Sequence, residues 1–250
     1  RREDLWVTSK LWNNAHRREQ VRPALENTLR DLNLDYLDLY LVHWPVVLKG
    51  EVTYPKKAGD FLSLDEVPIA ETWQGMEAVL EEGMNRHIGV SNFSAKKIDR
   101  LLRTASVQPE MNQVELHPYL QQRDLLEYCN SQGIHATAYS PLGSKDRPER
   151  LKKVDEPSLL DNPTIKEIAG KHDCTPAQVL IAWAVHRGTA VIPKSVNPKR
   201  IQENFAAKEV ELDTEDMQAI RQLDKHYRFI DGSLWAMEGN PYTLAGLWDE

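Results

Sequence analysis

The sequence is poor in cysteine, in excess basic charge and in long apolar runs. Its two cysteines, Cys129 and Cys174, have neither metal-site nor redox spacing. The 31 basic and 38 acidic residues give a net charge of -7, which argues against a nucleic-acid or membrane-surface protein. No apolar run approaches the about 20 residues of a membrane span, and no signal-peptide core is present. We therefore expect a cytoplasmic protein with no metal site and no nucleic-acid or membrane partner.

What the sequence does contain is an ordinary globular composition. Of its 250 residues, 41% are hydrophobic and 28% are charged, enough for one large core. No linker, repeat or low-complexity segment divides the chain. We expect a single domain over residues 1–250, with residues 226–250 as an irregular C-terminal segment.

The most informative stretch is the apolar run over residues 37–42 that leads into His43, Trp44 and Pro45. A short, nearly continuous apolar run is typical of a strand buried on both faces of a parallel sheet. A histidine at its C-terminal end then faces the loops at that edge. The alternative is a core histidine that is hydrogen-bonded to the backbone.

Short strand patterns and helical patterns alternate along the rest of the chain. The other predicted strands are residues 5–10, 87–91, 111–117, 134–139 and 190–193. The predicted helices are residues 16–32, 69–83, 94–105, 120–132, 164–172, 176–187, 200–206 and 213–224. Thr175 and Asp213 are predicted to cap the helices that begin there. Residues 46–68 and 143–163 are predicted to be long irregular loops.

This alternation predicts an α/β protein with a parallel sheet. No Gly-x-Gly-x-x-Gly follows a strand, which disfavours a doubly wound dinucleotide fold and leaves a (β/α)8 barrel. Polar residues stand at successive strand ends, where a barrel has its active site. They are Lys10, His43, Ser91 with Asn92, Gln113 with Glu115, Tyr139 with Ser140, and Lys194 with Ser195.

The segment from Lys194 to Arg200 has the features of a phosphate site. Asn197 can cap a helix whose first residue is Pro198, and a helix N-terminus attracts anions. The cations of Lys194 and Arg200 flank this helix start. The alternative is a solvated basic helix terminus with no ligand.

Several motifs together resemble the aldo-keto reductases, which are NADPH-dependent oxidoreductases built on a (β/α)8 barrel. The matching stretches are TSKLW at residues 8–12, LVHWP at 41–45, GVSNF at 89–93, NQVE at 112–115, AYSPL at 138–142 and IPKS at 192–195. They occur in the family's order and spacing over almost the whole chain. The resemblance implies reduction of small-molecule aldehydes and ketones with NADPH.

The resemblance also implies site residues. The catalytic pair is Lys10 and His43, and Trp12 and Trp44 form walls of the substrate pocket. The implied residues for NADPH or NADP+ are Ser91, Asn92, Gln113, Tyr139, Ser140, Leu142, Ser144, Lys194, Ser195, Asn197, Arg200, Glu203 and Asn204. Among these, Lys194, Ser195, Asn197 and Arg200 are implied to hold the 2′-phosphate that distinguishes NADP from NAD. The tail resembles the family's C-terminal substrate loop.

The family's tyrosine proton donor and its aspartate have no counterpart before Lys10. We therefore expect a barrel lacking roughly its first two βα units, a partial barrel of about six parallel strands. Carbonyl reduction by this chain is expected to be weak or absent, and an incomplete chain is favoured over a natural truncation. The complete form is expected to be monomeric. The alternatives are a non-catalytic NADP-binding regulatory module and a purely structural protein.

Overall fold

A computed structural model describes the backbone of residues 1–250 and every side chain except that of Arg150. The strands are β1 (Thr8–Leu11), β2 (Leu37–Val42), β3 (Val47–Leu48), β4 (Phe61–Leu62), β5 (Asn85–Ser91), β6 (Met111–Glu115), β7 (His135–Tyr139) and β8 (Ala190–Val191). The helices are α1 (Arg18–Leu32), α2 (Ile69–Glu81), α3 (Ala95–Leu102), α4 (Arg123–Ser131), α5 (Pro163–Lys171), α6 (Pro176–His186), α7 (Pro198–Ala206), α8 (Thr214–Arg221) and α9 (Leu244–Trp248).

Six strands form a sheet in the order β1-β2-β5-β6-β7-β8. Thr8 pairs with Leu39, and Leu39 in turn with His87, so that β1, β2 and β5 run parallel. On the other side, Thr137 of β7 pairs in parallel with Ala190 of β8. The strand order follows the chain order, as successive crossovers of one hand produce. The predicted α/β fold with about six parallel strands is confirmed, and it is consistent with a partial (β/α)8 barrel.

Strand β2 lies between β1 and β5 and is fully buried. All six of its residues are buried, as predicted for a continuous apolar strand with neighbours on both sides. Gly89 allows β5 to approach Met111 of β6 closely, because a Cβ atom at position 89 would lie 2.6 Å from the Met111 carbonyl oxygen. The long β2 run therefore places His43 directly after a fully buried strand.

The chain divides into two compact units. The first comprises residues 1–112, 128–134 and 232–250, and the second comprises residues 113–127 and 135–231. The second unit packs its own core around Trp183, Leu180 and Val179 of α6. The assignment of residues 1–250 to a single domain stays a prediction.

The structure corrects the interpretation of two segments as irregular. Residues 46–68 contain the antiparallel pair β3–β4, with Val47 opposite Leu62. Residues 226–250 contain helix α9. Strands of two residues and a helix of five are too short to produce a periodic sequence pattern. They are stabilised by tertiary contacts that the sequence does not reveal.

Other corrections concern element ends. The first strand begins at Thr8 rather than residue 5, α1 begins at Arg18 rather than residue 16, and β6 ends at Glu115 rather than residue 117. Helix α4 begins at Arg123 rather than residue 120, because Leu120 forms a β-bridge with His117. Within the described part of the chain, no helix is both long and apolar enough to cross a membrane.

The predicted helix caps are confirmed. The side chains of Thr175, Asn197 and Asp213 each accept a hydrogen bond from a backbone N–H three residues further on. A proline follows Thr175 and Asn197 as the first helical residue. Such caps satisfy otherwise unpaired N–H groups and set where α6, α7 and α8 begin.

Candidate active site

His43 and Lys10 lie at the C-terminal ends of neighbouring strands of the first unit. Burial and the nearby Lys10 cation lower the pKa of His43 to about 4, so the imidazole is neutral at pH 7. Burial also lowers the pKa of Lys10. A neutral imidazole can donate a hydrogen bond to a carbonyl oxygen, and a nearby ammonium can stabilise negative charge there.

Asn92 fixes the backbone next to His43. Its Nδ2 atom donates to the His43 carbonyl oxygen at 2.9 Å and to Ser91 Oγ at 3.2 Å. Its φ of 63° lies in the left-handed region, which asparagine tolerates better than most residues. Ser91 and Asn92 are both buried where β5 ends. This turn brings two predicted cofactor residues beside the predicted catalytic histidine.

Four tryptophans form a cluster of ring contacts that reaches this histidine through Trp12. The Trp12 ring meets His43 edge-on, with 5.0 Å between centroids, and its Nε1 atom donates to the Thr53 carbonyl oxygen at 2.7 Å. Trp44 contacts both Trp235 and Trp248 at centroid distances of 5.7 Å. Trp12 and Trp44 were predicted from the sequence, but Trp235 and Trp248 were not assigned to the site. The sequence shows that these two tryptophans lie in the C-terminal tail, but it does not show that they contact Trp12 and Trp44.

The second unit contains the remaining predicted cofactor residues. Gln113 is buried on β6 and Tyr139 is partly buried at the end of β7. Burial, together with the Glu115 carboxylate, raises the pKa of the Tyr139 phenol well above its usual value. Tyr139 therefore stays protonated, as suits a residue that offers a ring face.

The buried carboxylate of Glu115, which the sequence placed at a strand end, anchors a distant segment. Its oxygens accept the backbone N–H of Phe229 at 2.6 Å and of Ile230 at 2.8 Å, and they accept His117 Nε2 at 2.8 Å. These bonds hold the bend at Phe229 and Ile230 against the end of β6. No sequence pattern pairs residues more than a hundred positions apart.

The turn after β7 holds three further predicted residues. Ser140 and Ser144 adopt left-handed φ angles of 49° and 52°. The ring of Phe229 lies so near Gly143 that a Cβ atom there would be 3.2 Å from Phe229 Cζ. Leu142 and Ser144 are partly buried in this turn. The Gly143 N–H also donates to the Ser140 carbonyl oxygen at 3.0 Å, so local hydrogen bonding and the Phe229 contact together hold this tight backbone path.

The predicted phosphate segment leads into helix α7. Asn197 Oδ1 accepts the Arg200 N–H at 3.2 Å, and Ser195 Oγ accepts the Asn197 N–H at 3.1 Å. Lys194 Nζ lies 2.8 Å from Asp146 Oδ2, a partner that the sequence did not predict. Arg200 is exposed at the helix start. Cations beside a capped helix N-terminus are a suitable arrangement for an anionic group.

Glu203 and Asn204 lie further along the same helix. Both are partly buried, and Glu203 Oε1 lies 3.6 Å from Lys199 Nζ. They share α7 with Arg200, and Asn197 caps the start of that helix. Their roles in binding stay a prediction.

The structure therefore groups the predicted residues by unit. The first unit holds Lys10, Trp12, His43, Trp44, Ser91 and Asn92. The second holds Gln113, Tyr139, Ser140, Leu142, Ser144, Lys194, Ser195, Asn197, Arg200, Glu203 and Asn204. Among the described side chains, no group of histidine, cysteine, aspartate and glutamate residues could hold a metal ion.

Known proteins match this chain over most of its length. The model of the aldo/keto reductase family matches residues 1–225. An aldo/keto reductase of Synechocystis sp. is 53% identical over 250 residues, which are 100% of this chain and 76% of that protein. Aldo-keto reductase family 1 member A1 of Gallus gallus is 46% identical over 92% of this chain and 70% of its own length.

A solved structure matches as well. The Bombyx mori aldo-keto reductase, crystallised in complex with NADP, is 39% identical, with a TM-score of 0.83 over 96% of this chain and 74% of that one. The match to the family model, the identity to named relatives and the similarity of fold agree with one another. The chain belongs to the aldo/keto reductase family.

Proposed function

We propose that this chain binds NADPH and uses it to reduce aldehydes or ketones to alcohols. Its family supports carbonyl reduction by an oxidoreductase, and a relative of similar fold was crystallised with NADP. The observation that carries the proposal is the neutral, partly buried His43 beside the Lys10 cation. This pair has no evident structural need, since a buried cation beside an imidazole disfavours the charged form of both groups.

The second unit suits the cofactor's phosphates. Lys194 and Arg200 supply positive charge, and the Asn197-capped start of α7 adds the positive end of a helix dipole. Ser195 adds a hydroxyl. We propose that these four residues hold the 2′-phosphate, and that Glu203 and Asn204 contact the adenine. Lys194 then shares its charge between the phosphate and Asp146.

For the nicotinamide end we propose the residues at the ends of β5, β6 and β7. Ser91, Asn92 and Gln113 carry amide and hydroxyl groups suited to a carboxamide, and the neutral Tyr139 offers a ring face. Ser140, Leu142 and Ser144 contact the pyrophosphate side in this proposal. When bound, NADPH supplies the hydride to the carbonyl carbon.

The chain's own residues then act on the carbonyl oxygen. His43, neutral at pH 7, donates a hydrogen bond from its ring and orients the oxygen. The Lys10 ammonium stabilises the negative charge that develops as the carbonyl becomes an alkoxide. Trp12 and Trp44 wall the pocket. Apolar aromatic walls suit an aromatic aldehyde or ketone, and they favour it over a charged substrate.

The alkoxide also needs a proton. The family's tyrosine donor and its aspartate have no matching positions in the 250 residues. We therefore propose slow turnover by this chain, in which the alkoxide takes its proton from a water molecule and this protonation is the limiting step. The alternative is a non-catalytic NADP-binding regulatory module, for which the absence of these two residues is the supporting observation. For the complete form we propose a monomer, and we propose that the protein is cytoplasmic, where the free thiols of Cys129 and Cys174 are stable.

An assay of the 250-residue chain with benzaldehyde separates these proposals. Consumption of NADPH should be measurable in the wild type and should fall at least about tenfold in His43→Gln, because an oxyanion donor is removed. Binding of NADPH should be retained in this variant. Tight binding without any consumption of NADPH by the wild type would favour the regulatory module.

A further inference from the structure

Lys97 is a buried lysine that the proposed reaction does not use. It lies in the first turn of α3, four residues after Phe93 of the Ser91–Asn92–Phe93 segment next to the site, with 5% of its side chain exposed. Burial lowers the pKa of its ammonium. Buried lysines are rare unless they are paired, so the groups that Lys97 binds indicate what it stabilises.

The Lys97 ammonium has its hydrogen-bond acceptors in the C-terminal segment. Its Nζ atom donates to the carbonyl oxygens of Gly246 at 2.7 Å and Leu247 at 2.9 Å, and lies 2.6 Å from Asp249 Oδ2. An ammonium has three hydrogens, and each has an acceptor here. The two carbonyls belong to the last turn of α9, where helix carbonyls lack partners within the helix.

Asp249 completes the arrangement from the other side. It ends α9 in a left-handed conformation, with φ 59°, and its carboxylate also accepts the Ser94 hydroxyl. Ser94 in turn caps α3 by accepting the Lys97 N–H. The ion pair therefore joins the start of α3 to the end of α9. We call Ser94, Lys97 and Asp249 the latch.

Helix α9 depends on such contacts. It has five residues, far fewer than the roughly 12 that an isolated helix needs to be marginally stable. Its buried Leu247 packs against Gly232, where a Cβ atom would lie 2.4 Å from Leu247 Cδ2. The neighbouring Trp248 extends to the Trp44 ring at 5.7 Å, with the planes at 65°. Because Trp248 is the last residue of α9, contacts that fix α9 also fix the position of the Trp248 ring.

We propose that Lys97 is a positioning residue for the substrate pocket. Its ion pair with Asp249 fixes α9, and α9 holds Trp248 against Trp44, the wall residue that directly follows His43 in the chain. Loss of the latch lets α9 move, and the aromatic wall opens. The latch then determines how tightly a ring-bearing carbonyl compound is held. This inference rests on the proposed function for the pocket, but its structural part does not.

The test compares Lys97→Met with Arg103→Met in the full 250-residue chain. The Arg103–Asp99 pair, at 2.6 Å, follows in the same part of the chain but is exposed, with 74% of the Arg103 side chain accessible. Asp249→Asn is a milder variant that serves if Lys97→Met does not fold. Trp248→Leu removes the ring that packs against Trp44 and leaves the three latch residues intact.

Three measurements are made on each variant. Hydrogen exchange of the Leu247, Asp249 and Glu250 amides should be at least about tenfold faster in Lys97→Met and Asp249→Asn, since the local structure loses its anchor. The far-ultraviolet circular dichroism from coupling of the Trp44 and Trp248 rings should weaken. The dissociation constant of benzaldehyde should rise about three- to tenfold, with kcat within about twofold of the wild type. Arg103→Met should change none of these.

Each result decides one part. Unchanged exchange in both latch variants would overturn the latch. Faster exchange with unchanged dichroism and unchanged benzaldehyde binding would overturn the positioning of Trp248. Trp248→Leu should reproduce weaker benzaldehyde binding while the amides exchange at the wild-type rate. Wild-type protein that fails to bind NADPH, with exchange and dichroism changing as expected, would overturn the proposed function and leave the latch supported.

Discussion

Asn92 Nδ2 donates a hydrogen bond of 2.9 Å to the carbonyl oxygen of His43. The bond joins the turn after β5 to the residue that follows β2, two strands that are neighbours in the sheet. It therefore fixes the backbone of the proposed catalytic histidine from a residue proposed to bind the cofactor. Asn92 also has a second role, since it occupies a left-handed backbone position with φ 63° that few residue types tolerate.

Two substitutions separate these tasks. Asn92→Gly removes the side chain but accepts the left-handed backbone, and it should lower the free energy of unfolding by about 1–3 kcal/mol, because a buried acceptor loses its donor. Asn92→Ala should cost about 1–2 kcal/mol more, because alanine is strained at this φ. Urea denaturation at equilibrium measures both.

Asn33 provides the matched control. It is exposed and also left-handed, with φ 52° at the end of α1. Asn33→Gly should change stability by no more than about 0.5 kcal/mol, and Asn33→Ala should cost about 1 kcal/mol. Equal effects of glycine at positions 92 and 33 would contradict a stabilising role for the Asn92 side chain.

The low pKa of His43 predicts a fall in stability under mild acid. The unfolded histidine binds a proton below about pH 6.5, whereas the folded one does so only below about pH 4. Between these values the unfolded state holds more protons, so acid favours unfolding. His43 should therefore cost about 3 kcal/mol of stability across this range as the pH falls. The buried His16, with a pKa of about 3, acts in the same direction.

Unfolding titrations from pH 7 to about pH 4.5 test this dependence. The His43→Gln variant should lose less stability than the wild type as the pH falls. His135→Gln, at an exposed position, should follow the wild-type curve. A His43→Gln curve parallel to that of the wild type would show that His43 is protonated equally in both states.

Glu115 should be needed for the turn at Phe229. The change Glu115→Gln replaces a buried carboxylate that accepts three hydrogen bonds with an amide that offers one fewer acceptor. We expect a loss of about 2–4 kcal/mol and faster amide exchange at Phe229 and Ile230.

Glu77 is the control for Glu115. It also accepts two backbone N–H groups, those of Ser106 and Val107, but near the surface. Glu77→Gln should cost about 1 kcal/mol. Similar losses in the two variants would mean that burial of the Glu115 carboxylate contributes little.

The sequence predicted the parts of the fold that depend on neighbouring residues. The continuous apolar residues of β2 and the caps at Thr175, Asn197 and Asp213 act locally, and the structure has them where they were expected. The polar residues at strand ends followed from alternation and a general rule for barrels.

The sequence did not predict features that depend on distant contacts. The short strands β3 and β4 are held by Tyr242, whose hydroxyl donates to Leu62 O at 2.7 Å and accepts the Val47 N–H at 2.9 Å. The Lys97–Asp249 pair joins residues 152 positions apart. Both the Tyr242 hydrogen bonds and the Lys97–Asp249 pair depend on how the C-terminal tail packs against the rest of the first unit. No local sequence pattern predicts this packing.

The most direct test of the account is a fluorescence titration of the wild type and of a Lys194→Ala/Arg200→Ala variant with NADPH and with NADH. Tryptophan quenching should show that the wild type binds NADPH more tightly than NADH. The variant should lose about 30-fold in NADPH affinity, from about 1 kcal/mol for each of the two lost charged contacts at exposed positions, and little in NADH affinity. Equal affinity of the wild type and the variant for NADPH would contradict the proposed phosphate site and with it the proposed cofactor specificity.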